Sequence, residues 1–528
     1  MLGFISVVVL SQTIGQRGSS ADTFAIANQL PNNVYAIIAG GLLSAVFVPA
    51  IVRAGLHDDG GQRFINRLVT LGLVVFVGAG IVATAAAPLL VRLYAQSGGD
   101  SGRGFSDADL ALATAFAYWC LPQVLFYALY SLLGEVLNAR GLFGPFTWAP
   151  VINNIVVITG LVIFTVLFGS NASTYTAGQW SPGMVATLAG TASLGVAGQA
   201  FFLCFFWRKA GLTFHLDFRW KGVGLGAAGK AAAWTFGMIL VTQLAGVVQS
   251  QIATSAGGSD NASVAILRNA WLVFMLPHSI AAVSIATAYF TRMSTHVRDG
   301  KMAEVRSDVS SSIRSIGLII VFASIGLIVL AYPFSAIFSK HGFEDVAAMA
   351  PVLIAFLLGL VPFSVLHVLR RTFYALEDTR TPFFITVFQA AIFVALALIA
   401  GLLPVQYIAI GIGVVTTIAG IAQTTAAIVL LRRKVGSLDG RHILRRHVQF
   451  FVSSIVAGLF GAGIVWGLGG YRSGGFGSGS ILGAAVTMAA AGIAMVVVYV
   501  GMLRLIHNPE LRAMLDPVVR RGRRLLGR

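Results

Sequence analysis

Apolar residues run along this chain in long stretches that short polar breaks separate. Most stretches reach about eighteen or more residues, the length that an α-helix needs to cross about 30 Å of hydrocarbon. The pattern predicts an all-α polytopic membrane protein with about fourteen transmembrane helices. The predicted spans are 1–15, 23–52, 68–94, 109–137, 144–168, 183–207, 224–253, 262–291, 312–338, 347–369, 381–402, 405–431, 448–468 and 479–506.

Basic residues are distributed unevenly between the two sets of loops that these spans define. Of the 36 lysines and arginines, 30 lie in one set of loops and at the adjoining helix ends, five lie on the opposite side, and Arg268 lies inside a span. Because basic loops stay in the cytoplasm, we expect a multi-pass protein of the cytoplasmic membrane with both termini cytoplasmic. The basic tail, 508–528, then binds anionic lipid. Membrane orientation explains the net charge of +17, so no nucleic-acid partner is predicted.

The composition excludes several other classes of protein. Charged residues make up 10% of the chain, whereas soluble domains contain about 25%. Cys120 and Cys204 both lie in apolar runs, so neither a disulfide framework nor a metal cluster is predicted. The sequence contains no P-loop or HExxH motif and no GxSxG motif in a suitable context. We therefore predict no enzymatic activity and no cofactor, and transport driven by an ion gradient or the membrane potential.

Two pairs of similar motifs occur in the same order in the two halves of the chain, at offsets of 246 and 237 residues. They are Leu30-Pro31 with Leu276-Pro277, and Pro145-Phe146 with Pro382-Phe383. Duplication of a six-helix unit explains them, although such short pairs also recur by chance. Because six is even, both copies would have the same orientation and form two parallel lobes. The predicted domains are 1–209 (N-lobe, helices 1–6), 222–434 (C-lobe, helices 7–12), 446–507 (helices 13 and 14) and the tail.

Polar residues inside spans are costly in a membrane and are therefore candidates for function. On the second span Asp22, Gln29 and Asn33 follow one helical face, with Asn32 beside them. Thr242 and Gln249 lie on one stripe of the seventh span. We predict that both stripes line a substrate cavity at the lobe interface. The alternative is that these side chains hydrogen-bond neighbouring helices, and Asp22 could cap its own helix.

Two arginines complete the set of candidates. Arg268 lies in the first half of the eighth span, where a guanidinium in a cavity would hold a phosphate through two parallel hydrogen bonds. The alternative is that it extends to the outer membrane interface. Arg17, in the first outer loop, is a second source of positive charge for the same ligand.

Several motifs together resemble the MurJ/MviN family, whose members are lipid II flippases of the MOP exporter superfamily. The resemblance extends over the whole chain and rests on 22–32 with 47–49, 134–138 with 148–150 and Asn154, 276–283, and 373–382. It implies two six-helix lobes in a V, alternating access and a cationic cavity for a pyrophosphate–sugar head group. It also implies a groove beside helices 13 and 14 for the polyprenyl tail, and membrane lipid and lipid II as partners.

The chain also departs from the family pattern at its cationic cavity positions. Asp22 and Asn32 match, but neutral residues stand where the family carries charged ones: Ser6, Gln29, Ala36, Leu272 and Met275. The first hypothesis is a lipid II flippase. The second, which the missing arginines favour, is a MOP exporter of another polyprenyl-linked saccharide or an amphiphilic drug. The third is a non-transporting scaffold whose partners are cell-wall synthesis proteins.

Overall fold

The computed structural model describes residues 2–42, 61–98, 103–219, 229–257, 261–514 and 516. Within these ranges all regular structure is helical, apart from one isolated β-bridge between Ser97 and Phe105. The predicted all-α class is therefore confirmed. The chain divides into two compact units, residues 1–265 with 397–408 and residues 266–396 with 409–528. The lobe boundaries predicted from the sequence stay a prediction.

Nine α-helices among the described residues belong to unit 1 alone. They are α1 (Leu2–Ile14), α2 (Gly18–Leu42), α3 (Gln62–Ala85), α4 (Ala87–Tyr94), α5 (Asp107–Cys120), α6 (Gln123–Ala139), α7 (Phe143–Phe168), α8 (Pro182–Cys204) and α9 (Gly229–Thr254). Helices α7 and α8 pack closely. A Cβ atom on Gly160 of α7 would lie 2.3 Å from the Thr191 hydroxyl oxygen of α8. Small residues permit such contact between helices in lipid.

Unit 2 contains most of the remaining helices. They are α10 (Val264–Pro277), α11 (Val283–Arg298), α12 (Met302–Val329), α13 (Ala331–Ala336), α14 (Phe343–Leu357), α15 (Leu360–Ala375), α16 (Arg380–Ala400), α17 (Ile408–Val435), α18 (Gly440–Gly467), α19 (Phe476–Gly479) and α20 (Ile481–Leu505). The first two residues of α10, the last four of α16 and the first of α17 belong to unit 1.

Eleven helical segments among the described residues are long and apolar enough to cross a membrane, and a bent pair, α14 with α15, raises the number to twelve. The two other predicted spans correspond to α1, which has 13 residues, and α2. Residues 43–52 of the predicted second span lie outside the described residues. The predicted count of fourteen is not confirmed.

Several predicted spans are interrupted in the structure. Sequence reasoning did not predict these interruptions, because apolar runs do not show where a helix breaks. Span 4 divides into α5 and α6 around Leu121 and Pro122. Span 8 contains a π turn, His278–Ala282, directly after Pro277, and proline cannot donate the next helical hydrogen bond. Span 10 divides into α14 and α15, which meet at a bend of 43°.

The two helices beyond the predicted duplication, α18 and α20, pack with α12 in unit 2. The Tyr499 hydroxyl of α20 donates to the Leu318 carbonyl of α12 at 2.6 Å. After α20, Glu510 pairs with Arg314 of α12 at 2.5 Å and with Arg446 of α18 at 3.5 Å. These ion pairs fasten the start of the C-terminal segment to the helix bundle.

Candidate substrate-binding site

The start of α2 is held in place by the loop between α7 and α8. The Ser20 hydroxyl donates to the Ala172 carbonyl at 2.9 Å and accepts from the Trp180 indole N–H at 2.9 Å. Trp180 in turn packs edge-on against Phe116 of α5, with ring centroids 5.1 Å apart. These contacts fix the first turn of α2, directly before Asp22.

Asp22 is fully buried. Its Oδ1 accepts a hydrogen bond of 3.1 Å from the Ala265 backbone N–H in the first turn of α10, and the Ser263 side chain lies within hydrogen-bonding reach. The other carboxylate oxygen is buried without a hydrogen-bond partner. A carboxylate at a helix N-terminus is stabilised by the helix dipole. Asp22 therefore connects α2 to the start of α10.

The other candidates on α2 differ in exposure. Gln29 and Asn32, three residues apart on one face, are exposed. Asn33 is buried, and its side chain lies beside the Tyr94 hydroxyl of α4. An exposed polar pair inside a long apolar helix is costly against lipid and typical of a water-filled cavity. Gln29 and Asn32 thus fit a cavity better than Asn33 does.

The candidates on α9, Thr242 and Gln249, lie on a helix that packs against α2. Thr242 is exposed, and its hydroxyl donates to the Met238 carbonyl of its own helix at 2.8 Å. The adjacent Gln243 donates to the Asn33 backbone carbonyl of α2 at 2.9 Å. Gln249 is half-buried. The structure therefore brings helices α2 and α9 together within unit 1 through Gln243, which lies beside the predicted stripe of α9.

The two candidate arginines lie elsewhere. Arg17 is half-buried in the short connection between α1 and α2. Arg268 is half-buried on α10 and belongs to unit 2. Nothing in the described geometry tests a substrate-binding role for either arginine, or for the polar candidates, so these roles stay predictions. In the described part of the chain, no group of three His, Cys, Asp or Glu side chains could hold a metal ion.

Sequence reasoning missed the two glutamines that attach α9 to its neighbours. Besides Gln243, Gln251 donates to the carbonyls of Arg92 and Leu93 at the end of α4, at 2.9 and 2.7 Å. Both glutamines fall off the predicted stripe of α9. Amide side chains in a membrane hydrogen-bond with neighbouring helices. An amide next to a polar stripe is therefore the signal that could have indicated these helix contacts.

Comparison with known proteins decides the family. Residues 10–487 match the family model described as "Lipid II flippase MurJ". The chain belongs to the MurJ family. Among relatives of this family, a probable lipid II flippase MurJ from Haemophilus influenzae is 28% identical over 491 residues, covering 88% of this chain and 89% of the relative. A probable lipid II flippase MurJ from Rickettsia prowazekii is 28% identical over 383 residues, covering 70% and 69%.

Solved structures agree on the fold. A structure described as lipid II flippase MurJ in an inward closed conformation superposes with a TM-score of 0.72 at 18% identity, covering 96% of this chain and 97% of the other. An inward-facing multidrug resistance MATE transporter of the MOP superfamily gives a TM-score of 0.65 at 17% identity, covering 83% and 95%. The predicted MOP-like fold is confirmed. The protein is a multi-pass membrane protein of the MurJ family and not an enzyme.

Proposed function

We propose that this protein is a flippase that moves lipid II, the lipid-linked peptidoglycan precursor, from the inner to the outer leaflet of the cytoplasmic membrane. The observation that carries the proposal is the match to the MurJ family over residues 10–487, which includes the polar stripes of α2 and α9. The head group crosses by alternating access, while the polyprenyl tail stays in the bilayer. Membrane lipid and lipid II are then the partners of the chain.

The α2 and α9 stripes are suited to a sugar-bearing head group. Gln29, Asn32 and Thr242 are exposed and uncharged, and amides and hydroxyls both donate to and accept from sugar hydroxyls. Arg17 and Arg268 are the proposed sources of charge for the diphosphate, since Arg binds phosphate oxygens through two parallel hydrogen bonds. The basic loops favour a cytoplasmic position for both termini.

A second candidate function is export of another polyprenyl-linked saccharide or an amphiphilic drug. The neutral Gln29, at a position where the family carries a basic residue, favours it, because one fewer charge weakens the hold on a diphosphate. A scaffold that binds cell-wall synthesis proteins without transport is the third. The three functions differ in what reaches the outer leaflet when this chain replaces the resident flippase: lipid II, another exported substrate, or nothing.

Depletion of the resident flippase in a bacterial host, with this chain expressed in its place, tests the proposal. We expect the chain to restore growth and the lipid II accessible at the outer leaflet. Failure together with drug efflux would support the second function, and failure with no transport the third. Asn32→Ala and Thr242→Ala should each lower the rate of lipid II appearance by about two- to tenfold, the effect of losing a neutral hydrogen bond.

Thr425→Ala is the matched control for Thr242→Ala. Thr425 of α17 is also exposed, and its hydroxyl donates to the carbonyl four residues before it at 2.9 Å, as that of Thr242 does. The two substitutions therefore remove the same group from the same local bond. Equal rates for the two variants would exclude a substrate contact at Thr242, while leaving the flippase activity itself to the complementation result.

A further inference from the structure

A group of imidazole and guanidinium side chains meets where the π turn packs against α15 in unit 2. His278 Nδ1 lies 3.0 Å from the Ser364 hydroxyl oxygen. The His278 ring meets the His367 ring edge-on, with centroids 5.3 Å apart. Arg370 follows His367 by three residues and so shares its helix face. Nothing in the reasoning on the candidate cavity uses these residues.

Two nitrogens of this group have unsatisfied hydrogen-bonding capacity. His367 Nε2 and Arg370 Nε are both buried without a hydrogen-bond partner. The guanidinium Nε always carries a proton, and an imidazole Nε2 donates in one of its two tautomers. Buried donors are normally satisfied, so these two nitrogens indicate an acceptor that binds there.

The group also lacks a counter-charge from the protein. Among the described residues, the ionisable groups that act on His278, His367 and Arg370 are one another, Arg371 and Tyr374. Three carboxylates of unit 2 bind other bases: Asp308 binds Arg292 and His296, Asp378 binds Lys434, and Glu510 binds Arg314 and Arg446. Glu377, the carboxylate nearest to Arg370 in the sequence, is not among the groups that act on it. A guanidinium inside a span is usually paired, so the missing acceptor should be an anion.

The position of these donors suits the head group of a lipid. The stripe along α15 consists of four half-buried side chains, Phe363, His367, Arg370 and Tyr374. Most residues between them are buried: Ser364, Val365, Leu366, Val368, Leu369, Thr372 and Phe373. Arg370 lies five residues before the end of α15, about 7 Å along the axis. That depth is close to the membrane interface, where lipid phosphates lie. The stripe is cationic in the middle and aromatic at both ends.

We propose that this stripe of α15 is a binding site for the phosphate group of a lipid, with Arg370 Nε and His367 Nε2 as its donors. Two lipids carry this chemistry: a polyprenyl diphosphate, such as the proposed substrate, and a phospholipid of the bilayer. The site does not depend on the proposed function, because a resident phospholipid would bind it in a transporter of any substrate.

Lipid titration of the purified, delipidated full-length protein, followed by native mass spectrometry, tests the site. The two probes are dioleoyl phosphatidylglycerol and farnesyl diphosphate. We expect Arg370→Gln and His367→Gln to raise the Kd of at least one probe about tenfold, as expected for loss of a charge-assisted hydrogen bond. An effect on phosphatidylglycerol alone identifies a resident phospholipid, and an effect on the diphosphate alone identifies the carrier lipid. Effects on both identify a site that accepts either lipid.

Arg433→Gln is the control, because it removes the same charge from an exposed arginine of unit 2, at the end of α17. Arg370→Lys keeps the charge but lacks the planar donor fork, and we expect an intermediate Kd. It also substitutes for Arg370→Gln if that variant does not elute as a folded protein. Both Kd values unchanged from the Arg433→Gln control, in the Arg370 and His367 variants alike, would overturn the proposal.

Discussion

Polar side chains inside the helices fall into two groups according to the atoms they bond. Threonines such as Thr242, Thr386 and Thr425 donate to the carbonyl four residues before them. Their hydroxyls are thus satisfied within one helix and need no neighbour. Gln243 and Gln251 instead bond the backbone of other helices. An exposed threonine of this kind is therefore compatible with lipid as well as with a cavity, whereas Gln243 and Gln251 report helix packing.

Asp22 permits a test at the scale of one side chain. Asp22→Ala leaves the Ala265 N–H without its acceptor, so we expect a loss of about 1–3 kcal/mol in the free energy of unfolding. Asp22→Asn should cost less, because its amide oxygen still accepts the bond and only the interaction with the helix dipole is weakened, by about 0.3–1 kcal/mol. Thermal unfolding in detergent measures both. Asp299→Ala, at an exposed loop position, is the control, and equal melting temperatures in all three variants would contradict the expectation.

Sequence reasoning identified Asp22 as an unusual residue but could not identify its partner. The carboxylate accepts a hydrogen bond from Ala265, which lies 243 positions along the chain. Residue spacing along one helix contains no information on such a long-range contact. Sequence reasoning also passed over His278 and His367. Each is a single histidine in an apolar run, and only the packing of two separate helices brings their rings together.

At the scale of helices, the close approach of α17 to the bend between α14 and α15 depends on the absence of a side chain. Gly359 lies between these helices, and a Cβ atom there would lie 2.7 Å from the Thr417 hydroxyl oxygen of α17. That hydroxyl donates to the Ala355 carbonyl at 2.8 Å, so it cannot move away without losing the bond. Gly359 therefore lies both at the 43° bend and at the close approach of α17.

Gly359→Ala should lower the free energy of unfolding by about 1–3 kcal/mol, the usual effect of overpacking. Gly420→Ala on α17 is the control, since no atom lies within 4 Å of its Cβ position. That change should be neutral or stabilising by up to about 1 kcal/mol, because alanine favours helix over glycine. Unfolding curves of both variants in the same detergent measure the difference. Adding Thr417→Ala should recover part of the loss in Gly359→Ala, and a fully additive double variant would exclude the clash.

Helix positions were predictable from the apolar runs, but the interruptions were not. Length and hydropathy report how much chain lies in hydrocarbon, and the spans predicted at 144–168 and 381–402 correspond closely to α7 and α16. The break after Cys120 and the bend at Gly359 lie inside apolar runs, so hydropathy does not report them. Charged helix ends were also missed, since α11 continues to Arg298 and α12 begins at Met302, where hydropathy is low.

At the scale of the whole molecule, the orientation in the membrane that the basic loops predict can be tested by labelling. Cys204 is exposed and Cys120 is buried, so Cys204→Ser provides the background. In intact cells an impermeant maleimide should label Ser170→Cys and Ser473→Cys, in the loops after α7 and α18, but not Ser437→Cys, after α17. All three serines are exposed. Lysis should make Ser437→Cys reactive, and labelling of Ser437→Cys in intact cells would refute the predicted orientation.

The family and the all-α class were within reach of the sequence because both depend on features distributed over the whole chain. Motifs such as 22–32 and 373–382 identify the family even though Gln29 and Ala36 depart from its pattern. The number of spans could not be predicted in the same way, for a physical reason. The 13 residues of α1 are too few to cross about 30 Å of hydrocarbon as a straight helix.

The π turn at His278–Ala282 has a consequence for how this long helical segment can change. A π turn holds one residue more than the α-helix it interrupts, so it offsets the angular phase of everything that follows by about 100°. Deleting one residue here would restore a regular helix but rotate α11 by that angle, carrying Phe290 away from the guanidinium of Arg371, now 5.3 Å from its ring. A substitution in α11 leaves this angular phase unchanged, whereas inserting or deleting a residue in the π turn changes it.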